Sequence, residues 1–303
     1  MSHTAKPIAI IDSGLGGLTV AQELRKQLPC EDLIYFGDTA HLPYGSKSAE
    51  TVTAFVRRII RFLISERPKH VVIACNTATA VAMPALVPEF ADLPISGVIE
   101  PGARAAVVAA GTKRVPNIGV IATEATIKSK AYDRAIMRRR HLAHVFLRAT
   151  PLLVPMIEEG RTSEDPLVEM ALRQYLQGML LQKIDVLVLG CTHYPLLKPA
   201  IAKVVGPRVK LIDSAEQCAQ DVARRLARRQ MLRSPTASKT GEKNDSDKVE
   251  SPAGSMRAFV TDDPSRFASL AGHFLQLPID KPTLIDSHQL EKADAPSTYL
   301  RAG

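Results

Sequence analysis

The amino-acid sequence predicts an α/β fold: two related α/β subdomains with mainly parallel sheets and a cleft between them. Three observations carry that expectation. Short β-branched runs alternate with longer helical stretches almost throughout the 303 residues, the order that crossover connections require. The runs are apolar on both faces, as in strands covered by helices on either side. Two parts of the chain also repeat one plan.

In order along the chain, "PIAIID" (7–12) reads as the first strand, and "DSGLGGLT" (12–19) opens a helix over 18–28. Glycines at a helix N-terminus can cradle an anion, but the phosphate patterns fail here. Gly17 follows Gly16, Thr19 takes the third glycine position, and no G-x-x-x-x-G-K-[ST] occurs. Asp12 would repel a phosphate; it suits an ammonium group or proton management, with helix capping as the plainer role. "DLIYFG" (32–37) leads into "FGDTAHLPYGSKS" (36–48), where Pro43 and Gly45 supply turn chemistry beside Asp38 and Tyr44. Such a loop either roofs a site or is an ordinary connection.

A helix over 49–65 precedes "HVVIAC" (70–75), which ends in Cys75 ahead of Asn76 and Thr77. Alone, a thiol there reads as core. Strands at 117–122, 144–149 and 184–190 follow, with a helix over 163–179; the last strand delivers Cys191, Thr192 and His193. The chain is expected to turn into a helix at that point, and a helix N-terminus or a protonated imidazole lowers a thiol's pKa. After a strand at 209–213 and a helix over 214–229 comes a polar insertion, 234–255, that cannot form a core. "MRAFVTDDPSRFASLAGHFL" returns to a strand, a helix start at Asp263-Pro264, and an amphipathic helix with Phe267, Leu270 and Phe274 on one face.

Composition narrows the function classes. With 46% hydrophobic and 23% charged residues the chain is of globular type. No apolar run reaches a bilayer span and the start lacks signal-peptide features, so a cytoplasmic protein with no membrane partner is expected. The net charge of +8 raises nucleic acid as a partner. The basic clusters "MRRRH" and "RRLARRQMLRS" are short and lie in helices, however, so they read as solvated faces and no specific nucleic-acid partner is expected. Cys30, Cys75, Cys191 and Cys218 are scattered without a C-x-x-C pair. They read as free thiols rather than disulfides or metal ligands, with no metal expected and Cys30 and Cys218 structural.

The internal repeat changes the reading of the other two thiols. Aligning Cys75 with Cys191 superposes "VVIACNT" on "LVLGCTH", and a similar shift places Asp12 and Ser13 over Ala122 and Thr123. Thiols at equivalent strand ends can face each other across one cleft, where ligands gather in open α/β sheets. Opposed acid/base groups suit inversion at carbon: one removes a proton from one face and the other delivers a proton to the opposite face. Ser13, Asn76, Thr77 and Thr192 beside them could hold a substrate's carboxylates and ammonium group.

Five ordered motifs, "IAIIDSGLGGLTV", "FGDTAHLPYGSKS", "ACNTATA", "LVPMIEEG" and "LVLGCTHYPLL", resemble those of the cofactor-independent glutamate racemases of bacteria. The resemblance runs from about residue 7 to residue 230 and resumes in "AFVTDDPSRFASLAGHFL". It implies one subdomain of residues 1–97 plus 208–303 and a second of 98–207, with the active site between them. It further implies interconversion of L- and D-glutamate without pyridoxal phosphate or any other cofactor, supplying D-glutamate for peptidoglycan. By motif, Cys75 and Cys191 become the acid/base pair, Asp12 and His193 their helpers, and Glu158 the group that orients His193. Substrate contacts map to Asp12, Ser13, Asp38, Tyr44, Gly45, Asn76, Thr77, Thr192 and His193. His41 stands where many relatives have Arg. An aspartate racemase of the same superfamily and a non-catalytic nucleotide or nucleic-acid module remain as rivals, and monomer and homodimer both stay open.

Overall fold

The structure, a computed structural model, describes residues 3–234, 253–275, 279 and 281–294. Its strands are β1 (Ile8–Asp12), β2 (Leu33–Gly37), β3 (His70–Ile73), β4 (Ile95–Gly97), β5 (Asn117–Ala122), β6 (His144–Ala149), β7 (Val186–Gly190), β8 (Lys210–Asp213), β9 (Met256–Val260) and β10 (Thr283–Leu284). They form two sheets, one in the order β10-β9-β2-β1-β3-β4 and the other β6-β5-β7-β8. Every pairing is parallel.

The repeat read from the sequence is visible in the registers. Ile11 pairs with Ile73 in the first sheet and Ile121 with Leu189 in the second. Each cysteine lies two residues beyond the second member of its pair. The chain crosses between strands through helices, as parallel pairing demands. These are α1 (Leu18–Gln27), α2 (Ala49–Ile64), α3 (Asn76–Val81), α4 (Met83–Glu89), α5 (Ile99–Ala109), α6 (Glu124–Lys128), α7 (Ala131–Met137), α8 (Leu153–Glu158), α9 (Pro166–Leu181), α10 (Lys198–Val205), α11 (Ser214–Arg228), α12 (Pro264–Leu275) and α13 (Ser287–Asp294).

Strand alternation sorts the core into three layers. Ile8, Ile10, Val72, Ile118, Val120 and Val188 belong to one cluster with Leu24, Ala103, Val222 and Leu226, so α1, α5 and α11 fill the space between the two sheets. Ala9, Ile11, Phe36 and Ile73 face outward under Val56 and Ile60 of α2. Ile121, Leu187 and Leu189 do the same under Leu172 of α9 and Ile201 of α10. One shared interior therefore sets the spacing of the two sheets.

Several sequence expectations are corrected. The helix expected over 163–179 starts at Pro166, because Asp165 accepts from Leu167 N at 2.8 Å and caps it. Residues 210–213 pair with β7, so β8 belongs to the second sheet although 208 onward was expected in the first subdomain. Asp263 does begin the last amphipathic helix, its carboxylate accepting from Arg266 N at 2.9 Å, and Phe267 is buried against Tyr35 with ring centroids 5.7 Å apart. Residues 235–252 of the insertion and the side chain of Phe274 lie outside the described residues. Among the described residues no helix is long and apolar enough to cross a membrane.

Candidate active site

The C-terminal ends of β1, β3, β5 and β7 converge on one narrow cavity. Cys75 and Cys191 both line it, together with Ser13, Tyr44, Gly45, Asn76, Thr77, Glu158, Thr192 and His193 from the sequence reading. Leu42, Pro43, Thr123 and Val154 complete the wall. Thr123 was not among the expected site residues, yet the repeat pointed to it: it occupies in the second half the place that Ser13 holds in the first.

The two thiols sit in different surroundings. Cys75 is the N-cap of α3, its sulfur accepting from Ala78 N at 3.5 Å. Burial pushes its pKa up to about 12, with the nearby Asp12 carboxylate acting in the same direction, so the neutral thiol is its form at ordinary pH. Cys191 is followed instead by a 3-10 turn, Tyr194–Leu197. The helix terminus expected beside Cys191 is thus found at Cys75. What stands beside Cys191 is His193, with Nδ1 3.8 Å from the sulfur.

His193 Nε2 lies 3.1 Å from Glu158 Oε1, at the end of α8. Burial disfavours a charged imidazole, but the hydrogen bonds and charges of Cys191 and Glu158 outweigh it and raise the pKa of His193 to about 10. The ring is therefore an imidazolium at neutral pH. One thiol has a carboxylate behind it, the other a cation beside it.

Asp12 stands just behind the wall, 1% exposed. Its Oδ1 accepts from Gly14 N at 3.0 Å and its Oδ2 has no hydrogen-bond partner. Burial raises its pKa, against the pull of the Gly14 N–H and of His193. Gly17 permits this arrangement, since a Cβ there would lie 2.5 Å from Asp12 Cβ. Gly16 serves the opposite half: a Cβ would meet Thr192 Oγ1 at 2.4 Å and His193 Nδ1 at 2.5 Å. The "GLGG" loop is thereby a close-contact surface between the halves. Thr19 adds a hydrogen bond from its hydroxyl to the Thr192 carbonyl at 3.0 Å.

Other polar side chains tie the two halves together around the cavity. Tyr132 OH donates to Asn76 Oδ1 at 2.8 Å, and the hydroxyls of Thr77 and Thr123 are 2.9 Å apart. Asp12 and Asp38 are the two expected substrate contacts outside the cavity lining, and Asp38 is turned to other partners. Its carboxylate is engaged by His41, Tyr44 and Thr261. The basic clusters are also largely engaged: Arg138 and Arg139 pair with Glu100, and Arg225 pairs with Asp221.

The chain belongs to the Asp/Glu/Hydantoin racemase family, whose model matches residues 16–222, and by class it is an amino-acid racemase. Its relatives narrow the class. A glutamate racemase of Geobacter metallireducens is 46% identical over 270 residues, covering 89% of this chain and 93% of the relative. The solved glutamate racemase of Bacillus anthracis superposes with a TM-score of 0.83 at 36% identity, covering 94% of this chain and 99% of that one. That of Francisella tularensis, solved in complex with D-glutamate, superposes with a TM-score of 0.80 at 35% identity, covering 93% and 98%.

Proposed function

We propose that this enzyme interconverts L- and D-glutamate without pyridoxal phosphate, with Cys75 and Cys191 exchanging the α-proton from opposite faces. The observation that carries the reading is that the two thiols line one cavity from equivalent strand ends and have opposite electrostatic neighbours. D-glutamate is a building block of peptidoglycan, so the reaction would serve wall synthesis in the cytoplasm.

The Cα–H of an amino acid is a very weak acid, so close positioning and exclusion of water have to supply much of the rate. Cys191, beside the His193 imidazolium, serves as the base that takes the proton from one face. Cys75, held as the neutral thiol, supplies a proton to the other face. The pair then carries swapped protonation states, which is the starting arrangement for the reverse direction. Ser13, Asn76, Thr77, Thr123 and Thr192 offer hydroxyl and amide groups to the substrate's carboxylates and ammonium group. Asp12, one layer back, holds a negative charge near the ammonium and disfavours ionisation of Cys75 until the reaction needs it.

Aspartate is the rival substrate. The named activities of the 46%-identical relative and of the D-glutamate complex support glutamate. A nucleotide-binding role for the "GLGG" loop is opposed by its geometry, since the space a phosphate would need beside Gly16 and Gly17 is taken by Thr192, His193 and Asp12. Circular dichroism of L-glutamate, D-glutamate and L-aspartate, each incubated with enzyme and no added cofactor, tests the reading. The glutamate signals should decay to zero from both sides while aspartate changes slowly; faster decay with aspartate would reassign the substrate.

A further inference from the structure

Which hydrogen-bonding atom Asn76 offers to the cavity depends on the way its amide faces, and two buried hydroxyls fix that orientation from behind. Asn76 opens α3 directly after Cys75 and lines the cavity. The hydroxyl of Ser214, at the start of α11, gives its one hydrogen to the Leu189 carbonyl at 2.9 Å. Toward Asn76 it can therefore only accept, so the amide atom that faces it at 3.5 Å is Nδ2. Oδ1 then points at Tyr132, whose hydroxyl donates to it at 2.8 Å. One hydrogen of Nδ2 is directed at Ser214, and the other is what the amide presents to the cavity.

Tyr132 is itself held tightly. It stands on α7 in the second half and is buried. A Cβ on Gly190, the residue before Cys191, would lie 3.1 Å from Tyr132 Cε2, and one on Gly102 of α5 would lie 3.3 Å from the hydroxyl oxygen. Side chains at those two positions would crowd the ring, so the glycines let the hydroxyl reach Asn76 in the other half. Burial holds the pKa of Tyr132 well above the ordinary value, so the hydroxyl keeps its hydrogen around neutral pH.

We propose that Tyr132 is a positioning residue for substrate binding: its hydroxyl holds Oδ1 of Asn76 away from the cavity, so that Nδ2 faces a carboxylate of the substrate. This inference rests on glutamate being the substrate. Without the hydroxyl, Oδ1 is a buried acceptor that has lost its donor, and nothing on that side keeps the amide in its orientation. Turned over, the amide brings Oδ1 to the place of Nδ2, where the substrate carboxylate meets one acceptor with another. The contact runs from α7 to α3, so a binding group of the first half depends on a side chain of the second.

The test is calorimetric binding of racemic glutamate, whose composition turnover does not change, to wild type, Tyr132→Phe, Ser214→Ala and Asn76→Ala. Tyr132→Phe removes one oxygen and keeps the ring between Gly102 and Gly190. It should raise the Kd roughly three- to tenfold, the size of one net hydrogen bond, with far-UV circular dichroism unchanged. Ser214→Ala frees the amide from its other side and should weaken binding as well. Added to Asn76→Ala, Tyr132→Phe should change the Kd no further, because the group it orients is gone. A wild-type Kd in Tyr132→Phe, or the same loss with and without the Asn76 amide, overturns the proposal and leaves the racemase reading intact. A wild type that neither binds nor racemises glutamate overturns that reading and the proposal with it. A hydroxyl that served only the fold would lower the thermal midpoint and leave the Kd where it was, which also overturns the proposal.

Discussion

At the scale of single residues, two identical side chains sit in opposite surroundings. Cys75 is buried with a carboxylate behind it, and Cys191 has an imidazolium beside it. A positioned acid or base contributes about 10²–10⁴-fold to a proton transfer. Cys75→Ser and Cys191→Ser should each lower kcat for racemisation by about that factor, with far-UV circular dichroism and thermal midpoint close to wild type. Near wild-type turnover in either variant would remove that thiol from the mechanism. The cysteines, His193 and Glu158 were legible in the sequence through their motifs and, for the cysteines, through the repeat. The hydrogen-bond partners of Asp38 were not. Nothing in "GDTAHLPYG" says that its carboxylate closes on Tyr44, His41 and Thr261, because Thr261 arrives from 223 residues further along the chain.

At the scale of elements, the strands deliver the site, and one of them carries a buried histidine. His70 opens β3 with Nε2 2.8 Å from Ser96 Oγ of β4, while Nδ1 has no hydrogen-bond partner. Burial, with the charges of Arg225 and Arg229 adding to it, lowers its pKa to about 4. The folded value lies below the unfolded one, so the unfolded chain binds the proton first as pH falls. Stability associated with neutral His70 is present above about pH 6.5 and lost as pH drops toward 4. Urea titrations should show wild type losing up to about 3 kcal/mol more between pH 7 and 4 than His70→Gln, which does not titrate. Equal losses would mean that His70 is protonated as readily in the folded chain. The long apolar strands were legible because both faces are buried. β4 and β10 span Ile95–Gly97 and Thr283–Leu284, too short to leave a periodic signal. α5 was equally hidden, since "IEPG" at its start carries a proline and a glycine that argue against a helix.

At the scale of the whole molecule, two sheets share one interior, and the halves meet closely where the "GLGG" loop abuts Thr192 and His193. Gly16→Ala would place a methyl within 2.4 Å of Thr192 Oγ1. The halves would have to shift, misaligning His193 against Cys191. Over-packing of this kind costs about 1–3 kcal/mol, and a displacement near 1 Å at a reacting group costs about 10²-fold in rate. Gly16→Ala should therefore lose far more activity than its modest drop in unfolding free energy suggests; wild-type kcat in that variant would show that the contact does not set the geometry of the site. The two-lobed plan was legible as the repeat of "VVIACNT" in "LVLGCTH". The boundary was less so, because β8 resembles a strand of either half until its pairing with β7 is seen.

The central claim, that two thiols work from opposite faces, is tested most directly by racemisation in deuterium oxide sampled early in the reaction. Starting from L-glutamate, the first D-glutamate formed should carry deuterium at Cα while the remaining L-glutamate stays unlabelled, because the group that donates to the product is not the one that took the substrate's proton. The same should hold with the enantiomers exchanged. Early product that retains the substrate's own hydrogen, or deuterium entering both enantiomers at equal rates, would mean a single base serving both faces and would contradict the account.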